Sequence, residues 1–107
     1  MQDISKKDWK LFREKLPEWQ ERYMESLIIK YVRMLSSPGN ASDHFWELEK
    51  WIRRDKKHPG VILELNKSEM PWDIALLIKK RVIKMEDLGG FSGSLVETVK
   101  RIINMDV

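Results

Sequence analysis

The chain of 107 residues contains no cysteine. This absence excludes disulfide bridges, thiolate zinc sites and cysteine nucleophiles, and it is compatible with a reducing cytoplasm. Glycine and proline are also sparse, at five and four residues, while 42% of the residues are hydrophobic and 35% are charged. Such a composition is typical of an ordinary globular chain, so we expect one domain over residues 1–107.

No apolar stretch in the sequence is long enough to cross a membrane. The longest uninterrupted run covers residues 74–78, far below the roughly 20 residues that a spanning helix needs. Residues 1–10 are charged and lack the apolar core of a signal peptide. These patterns predict a soluble, cytoplasmic protein with no membrane partner.

Side chains suited to catalysis are scarce. His44 and His58 are the only histidines. His44 and Glu47 could share a helix face as metal ligands. The sequence offers no second histidine or carboxylate cluster to complete such a site, so we expect both residues to be solvated and to bind no metal. The chain has no P-loop, dinucleotide fingerprint, G-x-S-x-G motif or EF-hand loop. We therefore expect no enzymatic activity and no cofactor.

The most apolar passage, residues 68–83, predicts the centre of the fold. Met70, Ile74 and Leu77 recur at helical spacing, Ser68 is placed to cap the helix, and Pro71 falls in its first turn. A helix that is apolar on so much of its circumference needs neighbours on more than one side. The sequence predicts an all-α fold, a compact single-domain bundle of five to six helices around a central helix near 69–81.

The other predicted helices follow from caps, breakers and periodicity. Leu16-Pro17 is expected to end a first helix, since the residue before proline is pushed out of the helical region, and Pro17 to begin a second. Residues 61–65 could be a buried strand or a short helix, and we favour the helix. In chain order the predicted helices cover residues 5–16, 17–35, 43–57 after a cap at Ser42 or Asp43, 61–65, 69–81 and a last helix from Ser92 or Ser94. Residues 85–88 are expected to add at most one or two helical turns.

Two apolar stripes are expected to cover the central helix. Periodicity places their members on one face of helix 17–35 and one face of helix 43–57. The first stripe contains Met24, Leu27, Ile28, Tyr31, Val32 and Leu35, and the second contains Phe45, Leu48 and Ile52.

The most informative surface lies on helix 43–57. Trp46, Lys50, Arg53 and Lys57 recur at i, i+4, i+7 and i+11 and share one face, with Arg54 beside it. An aromatic residue among cations suits phosphate contacts with stacking, or an acidic protein surface. The alternative is a solvated face whose basic end complements the helix dipole.

Residues 73–104 invite comparison with a divergent helix-turn-helix, with Thr98, Lys100 and Arg101 on the polar face of its last helix. The connection near ten residues between the two long helices is far beyond the usual three or four. A plain helical hairpin is therefore the preferred interpretation.

The passage from KKHPGV at 56–61 to DLGGFS at 87–92 resembles short helical proteins of Firmicutes and their mobile elements. The resemblance implies a small bacterial, cytoplasmic accessory protein. No activity is assigned to that group, so no site residue can be carried over.

Five tryptophans cannot all lie at the centre of so small a core, and tryptophan and arginine are enriched at binding hot spots. Our first hypothesis is a non-enzymatic interaction module, a regulator or inhibitor that binds a protein partner, with self-association included. The second is a small nucleic-acid-binding protein that uses the basic face of helix 43–57 or the helix-turn-helix-like unit.

Overall fold

The computed structural model describes residues 4–105, which form four α-helices and two short 3-10 segments. No strand occurs in this part of the chain, so the predicted all-α class is confirmed. The predicted number of five to six helices is wrong, because the first two predicted helices are one and residues 61–65 are not helical. The helices are α1 (Lys6–Leu35), α2 (Ala41–Asp55), α3 (Met70–Lys79) and α4 (Gly93–Met105), and the 3-10 segments are Lys67–Glu69 and Met85–Leu88.

Helix α1 runs through Pro17 without a break, which corrects the predicted boundary there. A proline inside a helix removes one hydrogen bond and costs about 3 kcal/mol or more. Here Pro17 is exposed, whereas Leu16 and Trp19 on either side are only 3% and 4% exposed. Because both side chains enter the same core, burial on both sides of the proline favours one continuous helix over a turn.

The core lies between the first half of α1, α3 and α4, a part that we call the head. Its largest fully buried side chains are Phe12 from α1, Met70, Ile74 and Leu77 from α3, and Val99 from α4. The predicted central helix is therefore present, and α3 packs most closely against α4. Its start differs from the prediction. The side chain of Asn66, rather than that of Ser68, caps the 3-10 turn that leads into α3.

A buried carboxylate links the start of α1 to the residue that precedes α4 in the head. The Oδ1 and Oδ2 atoms of Asp8 accept hydrogen bonds from the backbone N–H and the hydroxyl of Ser92, at 2.9 and 2.5 Å. The Oγ atom of Ser92 in turn accepts from the N–H of Leu95 at 3.3 Å and caps α4. Of the two predicted caps for the last helix, Ser92 is therefore the one used. Ser5 caps α1 by accepting from the N–H of Asp8 at 3.0 Å.

Helix α3 ends in a left-handed turn at an arginine. Arg81 has φ 64°, and the N–H groups of Arg81 and Val82 donate to the carbonyls of Ile78 and Leu77 at 3.0 and 2.9 Å. This is the Schellman pattern, in which glycine is the usual left-handed residue. The turn sends Val82 and Ile83 back into the core, where they are 7% and 3% exposed.

The second half of α1 and α2 form an antiparallel helical hairpin that extends from the head. Three contacts define its register: Ser37 with His44, Tyr31 with Trp51, and Tyr23 with His58. The hairpin makes the molecule elongated, with extents of 54 × 30 × 22 Å. The predicted compact bundle is wrong in this respect, because α2 packs chiefly on α1 and does not cover α3.

Residues 58–66 connect the hairpin to the head without forming a helix, so the predicted short helix at 61–65 is wrong. Gly60 lies so close to Tyr23 that a Cβ atom there would collide with the ring. The side-chain amide of Gln20 donates to the carbonyl of Pro59 at 3.0 Å. Beyond it, Leu63 packs against the core while Ile62 remains exposed, which is the alternation of an extended chain rather than of a helix.

Replacing Ile74 or Leu77 by alanine should lower the free energy of unfolding by about 2–5 kcal/mol, because both side chains are fully buried and would leave a cavity. The measurement is urea unfolding followed by circular dichroism. Leu76→Ala is the matched control on the same helix, since Leu76 is exposed and should cost much less. A loss below about 1 kcal/mol at both buried positions would contradict α3 as the centre of the fold.

Candidate functional site

The exposed apolar side chains of the protein are concentrated on the hairpin. Scattered apolar residues are normal on a protein surface, but contiguous ones mark interaction sites. Two of the three predicted core residues of α2, Phe45 and Ile52, are exposed, and so is much of the predicted stripe on α1. These expectations of burial are wrong, because no helix of the described chain covers that side of the hairpin. The exposed apolar residues of the hairpin are Ile28, Ile29, Val32, Leu35, Phe45, Trp46 and Ile52, with exposed fractions between 42% and 64%.

An apolar groove, which we call the hairpin groove, begins where α1 and α2 meet and continues along α2. It consists of two neighbouring depressions of about 150 and 250 Å³ that share Ile52 and Lys56. Each is smaller than the 300–1,000 Å³ typical of small-molecule sites and is suited to one or two side chains. The first is lined by Met24, Leu27, Ile28, Tyr31, Ile52, Asp55, Lys56 and Val61, and the second by Phe45, Leu48, Glu49, Ile52, Arg53 and Lys56.

A polar network fixes the end of α2 against α1 beside the groove. The hydroxyl of Tyr31 donates to Oδ2 of Asp55 at 2.6 Å, and the guanidinium of Arg54 donates to Oδ1 at 2.9 Å. Burial raises the pKa of the Asp55 carboxyl, but the hydrogen bonds from Arg54 and Tyr31 and the charges of Arg54 and Lys30 outweigh it and bring the pKa below its ordinary value. Burial and the hydrogen bond to Asp55 raise the pKa of Tyr31 to about 12. The Asp55 carboxylate in the wall of the groove thus already has its hydrogen-bond donors within the chain.

The basic face predicted on helix 43–57 is only partly assembled. Trp46, Lys50 and Arg53 are exposed at positions that share one face of α2 by helical spacing, and Arg53 also lines the second depression of the hairpin groove. Lys57 lies beyond the end of α2, which stops at Asp55. The structure therefore brings together three of the five predicted site residues on one helical face.

Both arginines of the predicted site are engaged within the chain. The Nη2 atom of Arg53 donates to both carboxylate oxygens of Glu49, at 2.5 and 2.6 Å. Arg54 is paired with Asp55 and lies over the ring of Trp51, 5.6 Å from its centroid. Sequence reasoning did not find these pairs because it considered only the cations of that face.

The helix-turn-helix-like unit has no short turn. Helix α3 ends at Lys79 and α4 begins at Gly93, with the 3-10 segment Met85–Leu88 between them. Thr98 donates its hydroxyl to the carbonyl of Ser94 at 2.9 Å, and Lys100 lies 3.7 Å from Glu97. Arg101 is exposed.

The two histidines have local partners. His44 lies 3.4 Å from the hydroxyl of Ser37, while Glu47 accepts from the indole N–H of Trp51 at 2.7 Å. His58 stacks on Tyr23 and accepts from the N–H of Gly60 at 3.0 Å. Over residues 4–105 no group of three or more His, Cys, Asp or Glu residues could hold a metal ion.

Asp73 in the first turn of α3 has an unpaired buried oxygen, Oδ2. Burial and the nearby charge of Glu69 raise the pKa of this carboxyl to about 6. A raised pKa is a feature of catalytic acids, but it also arises from burial alone. Asp73 lines neither depression of the hairpin groove, so we assign its effect to stability.

No helix within the described residues is long and apolar enough to span a bilayer. No family model, no curated protein and no solved structure matches this chain.

Tyr31→Phe should lower the free energy of unfolding at pH 7 by about 1–3 kcal/mol, because a buried carboxylate loses a donor. The pKa of Asp55 is depressed in the folded state, so this stabilisation is present above about pH 4 and is lost as the pH falls through the folded value. The difference from the wild type, measured by urea unfolding, should therefore shrink in acid. Tyr23→Phe keeps its ring stacking and is the control. A loss that is the same at pH 7 and at pH 3 would contradict the role of Asp55.

Asp73→Asn should make the protein more stable at pH 7 but not at pH 4. A carboxyl whose pKa is raised on folding binds its proton more tightly in the folded state, so its charged form opposes folding as the pH rises from about 4 to 6. The measurement is the difference in melting temperature between variant and wild type at the two pH values. Titration of Asp73 near pH 4 in an NMR experiment would contradict the prediction.

Proposed function

We propose that this protein is a non-enzymatic interaction module that binds a protein partner through the hairpin groove. The observation that carries the proposal is the contiguous exposed apolar surface between α1 and α2, lined by Ile28, Phe45 and Ile52. Water contact with such a surface is unfavourable by roughly 25 cal/mol per Å², so an apolar partner that covers it gains that free energy.

The shape of the groove supports a helical partner. Its two depressions adjoin along α2, from Phe45 through Ile52 to Lys56. Large apolar side chains one or two turns apart on an amphipathic helix would fill them in series, in the helix-in-groove mode of recognition. A chain that binds in this way acts by occupying part of its partner's surface, and we therefore assign it the role of a regulator or inhibitor.

Nucleic-acid binding through the basic face of α2 is the alternative. It has less support, because Arg53 and Arg54 are already paired with Glu49 and Asp55. Lys50 and Lys57, beside the exposed ring of Trp46, are the cations that would contact phosphate. A salt-sensitive affinity for DNA or RNA that is lost in the double variant Lys50→Glu/Lys57→Glu would favour this alternative over the protein-binding proposal.

The proposal is tested by a charge placed in the middle of the groove. Tagged wild-type protein is used to recover binding proteins from the native host, and the recovered protein is purified for affinity measurements by calorimetry. Ile52→Glu should weaken binding at least about 100-fold, since a hot-spot position is worth 2 kcal/mol or more. Ile62→Glu is the matched control, because Ile62 is the same residue type and is also exposed but lies outside the groove.

Circular dichroism must show that both variants remain folded. Recovery of no protein by the wild type, together with a strictly monomeric mass, would contradict the proposal. Equal loss of affinity in both variants would also contradict it, because the groove would then have no special part in binding.

A further inference from the structure

We propose that a second copy of this chain occupies the hairpin groove, so that two hairpins form a four-helix bundle about a two-fold axis parallel to their length. This inference rests on the proposed function and names the partner. An α-hairpin with one uncovered apolar face is half of such a bundle. Residues of both helices line the groove, as an interface between two hairpins requires.

The register of the hairpin determines which residues would meet. The contacts of Ser37 with His44 and of Tyr23 with His58 show how α1 and α2 run antiparallel past each other. In this register Glu25 is level with Lys56. Ile28 is level with Ile52, and Leu35 with Phe45, to within about 3 Å along the axis, given a rise of about 1.5 Å per residue.

A two-fold rotation about an axis parallel to the hairpin does not change the position of a residue along that axis. It places α1 of one copy over α2 of the other, so residues at the same level meet. The helices that meet are then antiparallel. Ile28 faces Ile52 of the second copy, Leu35 faces Phe45 of the second copy, and each pair forms twice. Apolar side chains thus meet apolar side chains along the length of the hairpin.

The charges at the edges of the groove are complementary in the same arrangement. Glu21 and Glu25 share the outer edge of α1 with Ile28 and Val32 by helical spacing. Lys56 is the C-cap residue that directly follows α2, and it lines both depressions together with Ile52. Neither Glu25 nor Lys56 forms an ion pair within the described part of the chain. The rotation brings Glu25 of each copy to Lys56 of the other.

The exposed area is consistent with a weak dimer. The half-exposed apolar side chains along the groove leave on the order of 500 Å² per chain, against about 800 Å² per partner in a standard interface. The edge residues add to this area. We therefore expect a dissociation constant on the order of micromolar.

A single foreign helix fits the edges less well than a second hairpin does. It would need a basic flank toward Glu21 and Glu25 and an acidic flank toward Lys56 at the same end of the groove. The second copy places its own Lys56 opposite Glu25 and its own Glu25 opposite Lys56, because the acidic edge belongs to α1 and the basic edge lies at the end of α2. Charge complementarity therefore favours the second copy.

The test reverses one charge in each of two variants and follows the mass of the full chain by sedimentation equilibrium. Glu25→Lys and Lys56→Glu each turn two attractive contacts of the dimer into repulsive ones, so each variant alone should dimerise at least about tenfold more weakly than the wild type. Mixed in equal amounts, the two variants should form a heterodimer that is tighter than either homodimer. In that heterodimer the lysine introduced at position 25 of one variant meets the glutamate introduced at position 56 of the other, and the two unchanged residues meet as in the wild type. Lys50→Glu is the control and should leave the mass unchanged, because Lys50 is exposed and lines neither depression of the groove.

Each outcome is decisive. A wild-type chain that is monomeric at roughly 100 μM, far above the expected dissociation constant, overturns the inference. So does a dimer that is indifferent to both charge reversals, or a mixture that fails to restore it. If the wild type is monomeric while Ile52→Glu still abolishes binding to a host protein, the proposed function stands and only the identity of its partner is wrong.

Discussion

The architecture depends on the continuity of α1 across Pro17. Burial of Leu16 and Trp19 in one core holds the helix together where the proline removes a hydrogen bond. A helix of 30 residues is about 45 Å long, longer than the head that its first half helps to build. Its second half must therefore extend beyond the head, and α2, connected by only a short loop, can pack nowhere else. The hairpin and its groove follow from this single constraint.

The two parts of the molecule are stabilised in different ways. The head has an apolar core closed by the hydrogen bonds between Asp8 and Ser92, two residues that are far apart in the chain. The hairpin relies on rings and charges instead, chiefly Tyr31 with Asp55 and Tyr23 with His58. Polar contacts of this kind give a defined geometry with little apolar burial, which leaves the adjacent apolar side chains available to a partner.

The sequence predicts the helical class and α3 well because periodicity and caps are local properties. Prediction from the sequence fails where contacts between residues that are distant in the chain determine the structure. Pro17 is a strong local breaker, and only the common burial of its neighbours shows that it does not break the helix. Phe45 and Ile52 have the spacing of core residues, and periodicity cannot distinguish a face covered by its own chain from one left for another molecule. Helical spacing also does not show that Arg53 and Arg54 are paired with Glu49 and Asp55.

The left-handed turn at Arg81 shows that the end of α3 is not encoded locally. The residues from Lys79 to Ile83 include no glycine or proline, and an arginine with positive φ is strained by roughly 1 kcal/mol or more. The helix stops there because Val82 and Ile83 gain more by entering the core. The boundary of α3 is therefore a property of the assembled head, and without the neighbouring helices the same residues would favour a longer helix.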